Sequence, residues 1–398
     1  MDSLSSKKNS LAFRLIILMG IVSLFGDIVY EGSRSVAGPY LLFLGASAFT
    51  VAFIAGFGEF IGYAARLVSG YFADRTRSYW TFAITGYLMI GAVPLLVFAG
   101  SWEGAAILIL LERLGKGIRS PAKDTILSHA SRHVGRGLGF GIHEAIDQIG
   151  AVLGPLIFAA SIAASGGYKD GFALLAVPFV LLVAALILAY RSVPDPVSLE
   201  DSADNQPVES GQFFRIMIPY GTFTVLTMAG FAVFPLVAYH LSATSVVSDA
   251  QIPVFYAIAM AADAFFSLAI GRFYDRNGIG VLGIVPLVNI PIAFLAFSGS
   301  YSFVLAGAVL WGLSMGAQET ILRAALADLT SITRRGTAYG IFNTLYGGAW
   351  FAGSLVLGWL YELNLQVLIV YCVLMQIAAL GTFVWLWKSA PSSHGTRN

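Results

Sequence analysis

The stretch Gly70-Tyr-Phe-Ala-Asp74-Arg75 returns in the second half of the chain as Gly271-Arg-Phe-Tyr-Asp275-Arg276. Two further echoes follow in the same order. Asp124-Thr-Ile-Leu127 is answered by Glu319-Thr-Ile-Leu322, and Arg136-Gly137 with Phe140-Gly-Ile142 by Arg335-Gly336 with Tyr339-Gly-Ile341. Repeats on this scale in an apolar chain mean two similar halves that face one another.

Composition says where those halves sit. Hydrophobic residues make up 57% of the chain and charged ones 11%, whereas about a quarter of a soluble domain is charged. With a mean hydropathy of +0.78, the chain belongs in a membrane. Apolar stretches long enough to span a bilayer lie around 11–42, 48–72, 79–99, 102–127, 137–163, 170–190, 213–240, 250–272, 279–298, 301–327, 336–360 and 365–387. The expected fold is therefore all-α and integral to the membrane, with twelve transmembrane helices in two pseudosymmetric six-helix bundles. The first bundle covers 1–191, a linker 192–212 and the second bundle 213–398. A transmembrane β-barrel would need ten-residue alternating strands, and none is visible.

The net charge of +1 becomes informative once the charges are placed. Lys7, Lys8, Arg14, Arg75, Arg77, Arg132, Arg136, Arg191, Arg215, Arg272, Arg276, Arg334, Arg335, Lys388 and Arg397 fall on one face of the twelve-helix plan, and Lys169 on the other. The positive-inside rule then makes both termini cytoplasmic, in a multi-pass plasma membrane protein, or an inner membrane protein if the source is bacterial. The first span has the basic start of a signal peptide but is long and carries its own charges, so it is read as a helix. The linker holds Pro194, Pro196, Pro207 and five acidic residues without Lys or Arg, the composition of a solvated cytoplasmic connection. A single cysteine, Cys372, excludes an intramolecular disulfide and a cysteine-built metal site.

Inside the spans a second set of charges remains, most of it in the first half. Each costs roughly 2.5–3.5 kcal/mol near a helix centre, so these residues are expected to face a bundle interior or a water-filled cavity. Asp27, Tyr30, Glu31 and Arg34 stack along one face of the first span at i, i+3, i+4 and i+7. Glu112 and Arg113 lie near the middle of the fourth span, and His143, Glu144 and Asp147 reach a similar depth on the fifth. Carboxylates beside an arginine in a low-dielectric cavity can hold or release a proton according to their partner. Mutual pairing that locks the helices is the alternative. At the matching places the second half has Asn343 for Glu144 and Tyr346 for Asp147, so ion handling is expected chiefly in the first half.

Other signals point away from chemistry. The run Gly135-x-Gly137-x-Gly139-x-Gly141 lacks the Gly-Lys-Ser/Thr ending of a phosphate loop and reads as close helix packing. No HExxH, GxSxG or nucleotide fingerprint is present, and no nucleophile and base pair is recognisable. The chain is expected to be no enzyme, to need no metal or organic cofactor and to bind no nucleic acid.

At this point the motifs resemble those of the major facilitator superfamily over essentially the full length. Gly70 to Arg77 is similar to the family's signature between helices 2 and 3, and Gly271 to Gly278 to its weaker second copy. Arg77 stands where the family's second glycine is usual, and the second copy lacks the closing basic residue. The resemblance implies a gate in which Asp74 pairs with Arg75 or Arg77 and with the positive start of helix 11 near Thr333. Asp275 and Arg276 would serve the other half. Arg113-x-x-Lys116-Gly117 is similar to the helix 4 motif whose arginine is implicated in proton coupling, with lysine in place of glutamine. Gly150-x-x-x-Gly154-Pro155 resembles the core of the helix 5 motif of antiporters, without its trailing glycine pair.

The resemblance implies a secondary transporter that moves a small organic solute by alternating access, with protons and the lipid bilayer as its other partners. Proton-coupled antiport is the first expectation, with Asp27, Glu31, Arg113, Glu144 and Asp147 as coupling candidates. Tyr30, Arg34, His143, Asn343 and Tyr346 are the candidates for substrate contact. Proton-coupled uptake of a charged or zwitterionic nutrient is the alternative, and a non-transporting membrane sensor a weaker one. One chain holds both halves, so a monomer is expected to suffice.

Overall fold

The computed structural model describes residues 2–134, 136–196, 213–330 and 335–389. Residues 197–212 of the expected linker, Gly135 of the glycine run, Thr333 and Arg397 lie outside the described residues. Among the described residues the chain is almost wholly helical and contains no strand.

In the first half come α1 (Asp2–Phe43), α2 (Ala48–Thr76), α3 (Tyr79–Leu88), α4 (Trp102–Val134), α5 (Arg136–Ser165), α6 (Tyr168–Leu174) and α7 (Ala176–Ser192). Tight helical turns at Met89–Ala92 and Pro94–Phe98 prolong α3, and the switch comes where Pro94 removes a backbone donor. The second half holds α8 (Phe213–Ala229), α9 (Phe234–Ala243), α10 (Ile252–Asn277), α11 (Ile284–Ala296), α12 (Tyr301–Ala317), α13 (Arg323–Leu329), α14 (Arg335–Leu363) and α15 (Leu365–Ser389). Pro235 opens α9 and parts it from α8. A π-helical turn, Gln318–Leu322, joins α12 to α13.

Eight described segments are long and apolar enough to cross a bilayer by themselves. One of them, Ile252–Ala296, has 45 residues and contains both α10 and α11, about twice the length of one crossing. In contrast, α4 gathers Glu112, Arg113, Lys116, Arg119, Lys123 and Asp124 in its inner turns. Its burial is made tolerable by pairing and not by apolarity.

Packing repeats along with sequence. In the first half α1 lies on α5 and α7, and α4 on α2 and α3. The second half has α8 on α14 and α15, and α12 on α10 and α11. One core cluster runs from Ala12 to Val193, and the other from Met217 to Leu386 with Ala48, Ala52 and Ala151 added from the first half.

The halves meet through α2 against α14, α5 against α10 and α1 against α9. At the end away from the chain termini the contact is tight. The Phe49 amide donates to Glu362 Oε1 at 2.9 Å, and Gly38 lies so close to the Pro235 carbonyl that a Cβ there would overlap it. Toward the termini the halves part, leaving a cavity of about 950 Å³ between α5, α10 and the π turn.

Candidate functional site

The deepest polar structure is a chain of charges across α1, α2 and α4. Helical spacing puts Tyr30, Glu31 and Arg34 on one face of α1, as their i, i+1, i+4 pattern requires. Arg34 Nη2 lies 3.2 Å from Glu59 Oε1 on α2. Arg113 Nη1 of α4 lies 3.2 Å from the same oxygen. Glu59 thus bridges two arginines. Arg34 also stands 3.9 Å from Glu31, and Arg113 Nε 3.8 Å from Glu112.

Tyr30 sits at the centre. Its hydroxyl receives Arg34 Nη1 at 3.0 Å, Lys116 Nζ at 2.8 Å and a very short bond from Arg113. Lys116 and Arg113 also lie over its ring, 4.0 and 4.7 Å from the centroid, where the negative face of the π system attracts them. Tyr256 of α10 donates to Glu31 Oε2 at 2.6 Å, which brings the second half into contact with the network. Three carboxylates, Glu31, Glu59 and Glu112, balance the three cations. Gly58 makes this possible, because a Cβ there would stand 2.9 Å from Arg113 Cγ.

Balance of this kind is chemically responsive. Removing one partner from a buried ion pair costs about 3–5 kcal/mol, so adding a proton or a charged ligand to the group forces the remaining charges to re-pair. Arg34 Nε, Arg119 Nη1 and Glu112 Oε1 are buried without a hydrogen-bond partner among the described residues. The network therefore has donors and acceptors in reserve.

The remaining candidates are distributed around it. Asp27 makes no ion pair within 4 Å among the described residues and looks toward Asp147 on α5 and Lys116 and Arg119 on α4. Asp147 is half-buried and has no hydrogen bond among the described residues. Glu144 is exposed to the cavity, where Gln148 Nε2 donates to it at 3.1 Å. Buried His143 lies instead 2.9 Å from Ser23 Oγ, between α5 and α1 and away from the cavity. Tyr346 is buried among Tyr63, Phe342 and Trp350 with its hydroxyl 3.4 Å from Gln318 Oε1. Asn343 is half-buried on α14.

Arg113 therefore meets Tyr30, Glu59 and Glu112 rather than Asp27, Glu144 or Asp147. Glu59 is visible in the sequence as an intramembrane charge, but it stands alone on its span and nothing local names its partners. Tyr256 had no such signal, since an aromatic residue in an apolar helix reads as core.

The motif residues lie elsewhere. Asp74, Arg75, Arg77, Asp275 and Arg276 are exposed at the terminal end. Asp74 and Asp275 have no ion pair among the described residues, and Arg75 donates to the Tyr71 hydroxyl at 2.8 Å. Gly70 packs on Pro121 of α4 and Gly271 on Thr320 of the π turn, so both copies of the repeat seat one helix on its neighbour. Gly150 and Gly154 lie against the Leu24 and Ile28 carbonyls of α1, where any Cβ would collide, and buried Pro155 follows. This helix 5 motif is what lets α5 lie along α1.

In the second half the buried polar side chains among the described residues, apart from Asp263 and His240, are neutral amides and hydroxyls. Gln318 Nε2 donates to Ser314 Oγ at 2.8 Å, Ser314 donates to Asn289, Asn289 Nδ2 donates to Gln376 Oε1 at 3.3 Å, and Gln376 Nε2 donates to the Thr227 carbonyl at 3.0 Å. Among the described residues no group of three or more His, Cys, Asp or Glu side chains is arranged to hold a metal ion.

Comparison with known proteins places this geometry. The profile of the Major Facilitator Superfamily matches residues 16–288 and, a second time, 221–398. An uncharacterised protein of Mycobacterium tuberculosis is 41% identical over 379 residues, covering 93% of this chain and 92% of that protein. An uncharacterised MFS-type transporter of Methanocaldococcus jannaschii is 26% identical over 377 residues, covering 91% and 92%. Among solved structures, the nucleoside transporter NupG superposes with a TM-score of 0.75 at 14% identity, covering 94% of this chain and 99% of NupG.

Proposed function

The chain belongs to the major facilitator superfamily, and from that premise we propose that it is a proton-driven antiporter that exports a small organic molecule. It is a multi-pass membrane protein and a secondary transporter of a small molecule. Its two bundles, 1–191 and 213–398, rock about the contacts between α2 and α14 and between α5 and α10, with both termini in the cytoplasm. In this arrangement the far end is closed and the cavity faces the cytoplasmic side.

The observation that carries the coupling is the balanced network on Tyr30. Arg113, Glu59 and Glu31 take part directly, with Asp27 and Asp147 beside them as exchangeable carboxylates. A proton on one of these acids frees a cation, and the freed cation seeks another partner. Because Tyr256 ties Glu31 to α10, that re-pairing changes how the halves hold together. Asp74 and Asp275, which have no ion pair among the described residues, are the groups that would pair as the cytoplasmic end closes.

The runner-up is proton-coupled import of a charged or zwitterionic nutrient. It is favoured by the convergence of three cations on one phenolic oxygen, a place where an anionic oxygen of a substrate would also fit. Proteoliposomes loaded with a pH dye separate the readings. Mixed pools of small organic cations, anions, zwitterions and apolar compounds are added outside, with Glu59→Gln and Asp27→Asn as controls. Substrate and proton moving in opposite directions support antiport, movement in the same direction supports import by symport, and substrate movement without proton movement refutes both forms of coupling.

A further inference from the structure

The charged network is not the only polar site between the helices. The cavity between α5, α10 and the π turn is lined by Glu144, Asp263 and Glu319 against one cation, Arg323. Formal charge in the described lining is therefore net negative. Asp263 is 6% exposed. Ser267 donates to its Oδ1 at 3.1 Å, and among the described residues Oδ2 has no donor and neither oxygen has a cation within 4 Å. Gly316 leaves the room for this carboxylate, since a Cβ there would stand 2.6 Å from Oδ1. On the same cavity, Gln148 Oε1 is also buried without a partner among the described residues. A buried, ion-unpaired carboxylate on the wall of a cavity is an expensive arrangement that a cationic ligand would relieve.

The same cavity is mainly apolar toward its rim. Phe265 and Leu268 of α10 are 70% and 80% exposed, and Ile149 and Leu153 of α5 are 52% and 41% exposed. These four side chains flank the seam between α5 and α10. The π turn contributes the other wall. It widens the helix by one residue at Gln318–Leu322 and places Glu319 and Arg323 on the cavity, whereas the matching Asp124-Thr-Ile-Leu127 continues as α-helix in α4.

We propose that this cavity binds an amphipathic organic cation, its charge on Asp263 and Glu319 and its apolar body between α5 and α10, reached sideways from the lipid through the seam at Leu268. The proposal rests on the transporter reading and names the substrate class of that transporter. A low local dielectric strengthens the attraction between cation and carboxylate. The roughly 950 Å³ of space lies at the upper end of the range that small organic ligands occupy, about 300–1,000 Å³.

The test uses two ions of similar size and opposite charge, tetraphenylphosphonium and tetraphenylborate, in equilibrium dialysis with the full chain in lipid nanodiscs, after subtraction of binding to empty nanodiscs. Tetraphenylphosphonium is expected to bind saturably and tetraphenylborate at least tenfold more weakly. Asp263→Asn and Glu319→Gln are each expected to weaken tetraphenylphosphonium binding at least tenfold, while Asn289→Leu leaves it unchanged. Leu268→Trp, which narrows the seam, is expected to slow association at least threefold with little change in affinity. Equal binding of the two ions, or undiminished binding in both carboxylate variants, overturns the site; undiminished association in Leu268→Trp overturns the sideways route. Should Asp263→Asn fail to fold, Glu319→Gln on the exposed wall decides the matter. Binding does not require transport, so saturable binding without cation-driven proton flux would leave the site standing and sink the antiporter reading.

Discussion

The two halves share a fold and a packing pattern but, Asp263 apart, solve the burial of polar groups in opposite ways. In the first, Glu31, Arg34, Glu59, Glu112, Arg113 and Lys116 form a balanced set of formal charges around Tyr30. Across the molecule, Gln318, Ser314, Asn289 and Gln376 form a chain of neutral amides and a hydroxyl that ends on the Thr227 backbone carbonyl. Charges re-pair when one is neutralised, while a satisfied amide chain has nothing to exchange and holds its helices in place. On the proposed reading this difference puts ion coupling in the first half and scaffolding in the second, with Tyr256 of the second half hydrogen-bonded to the network.

The largest expected effect comes from the charged side. Arg113→Met leaves Glu112 without its cation and Glu59 with Arg34 alone and is expected to cost about 3–5 kcal/mol, read as a lower unfolding temperature in detergent. Adding Glu59→Gln to the same chain should return part of that stability without restoring proton-coupled transport. If the single variant unfolds like the parent, the network is not holding the helices. Tyr256→Phe comes next, removing a hydrogen bond to a carboxylate worth about 1.5–3 kcal/mol. Its transport activity should show a displaced pH midpoint, and an unmoved midpoint would mean that the second half has no part in coupling.

The neutral side gives a different signature. Asn289→Leu strands Ser314 and Gln376 and is expected to cost about 1–3 kcal/mol, with the pH dependence of transport unchanged. A changed pH dependence would break the division between the halves. Smallest in stability is Asp74→Asn, at an exposed position where substitutions stay within about 0.5 kcal/mol. Its effect should fall on the balance between open and closed cytoplasmic ends, read as altered labelling of a cysteine placed at Glu319.

Much of the fold was legible because its signals are local or repeated. Apolar runs mark the spans, the Gly70 and Gly271 motifs mark the halves, and Gly150 and Gly154 announce a helix lying on another. The face shared by Tyr30, Glu31 and Arg34 follows from helical spacing alone. What spacing cannot give is the register of one helix against another. Glu59 bridges Arg34 and Arg113 because α2 slides its midpoint between α1 and α4, and His143 turns to Ser23 instead of the cavity for the same kind of reason. Likewise Asp124 and Glu319 head matching tetrapeptides, yet one continues an α-helix and the other lies in a π turn. The π turn lies against α10, with Thr320 beside Gly271, a contact that the tetrapeptide alone does not encode.

The division of labour between the halves is tested most directly by substrate-driven proton flux in proteoliposomes containing Glu59→Gln or Gln318→Leu, each compared with the parent at equal reconstituted amounts. The account predicts that Glu59→Gln abolishes proton movement while substrate still exchanges, and that Gln318→Leu slows substrate and proton together at an unchanged ratio. Proton movement surviving in Glu59→Gln and lost in Gln318→Leu would place coupling in the second half and contradict it.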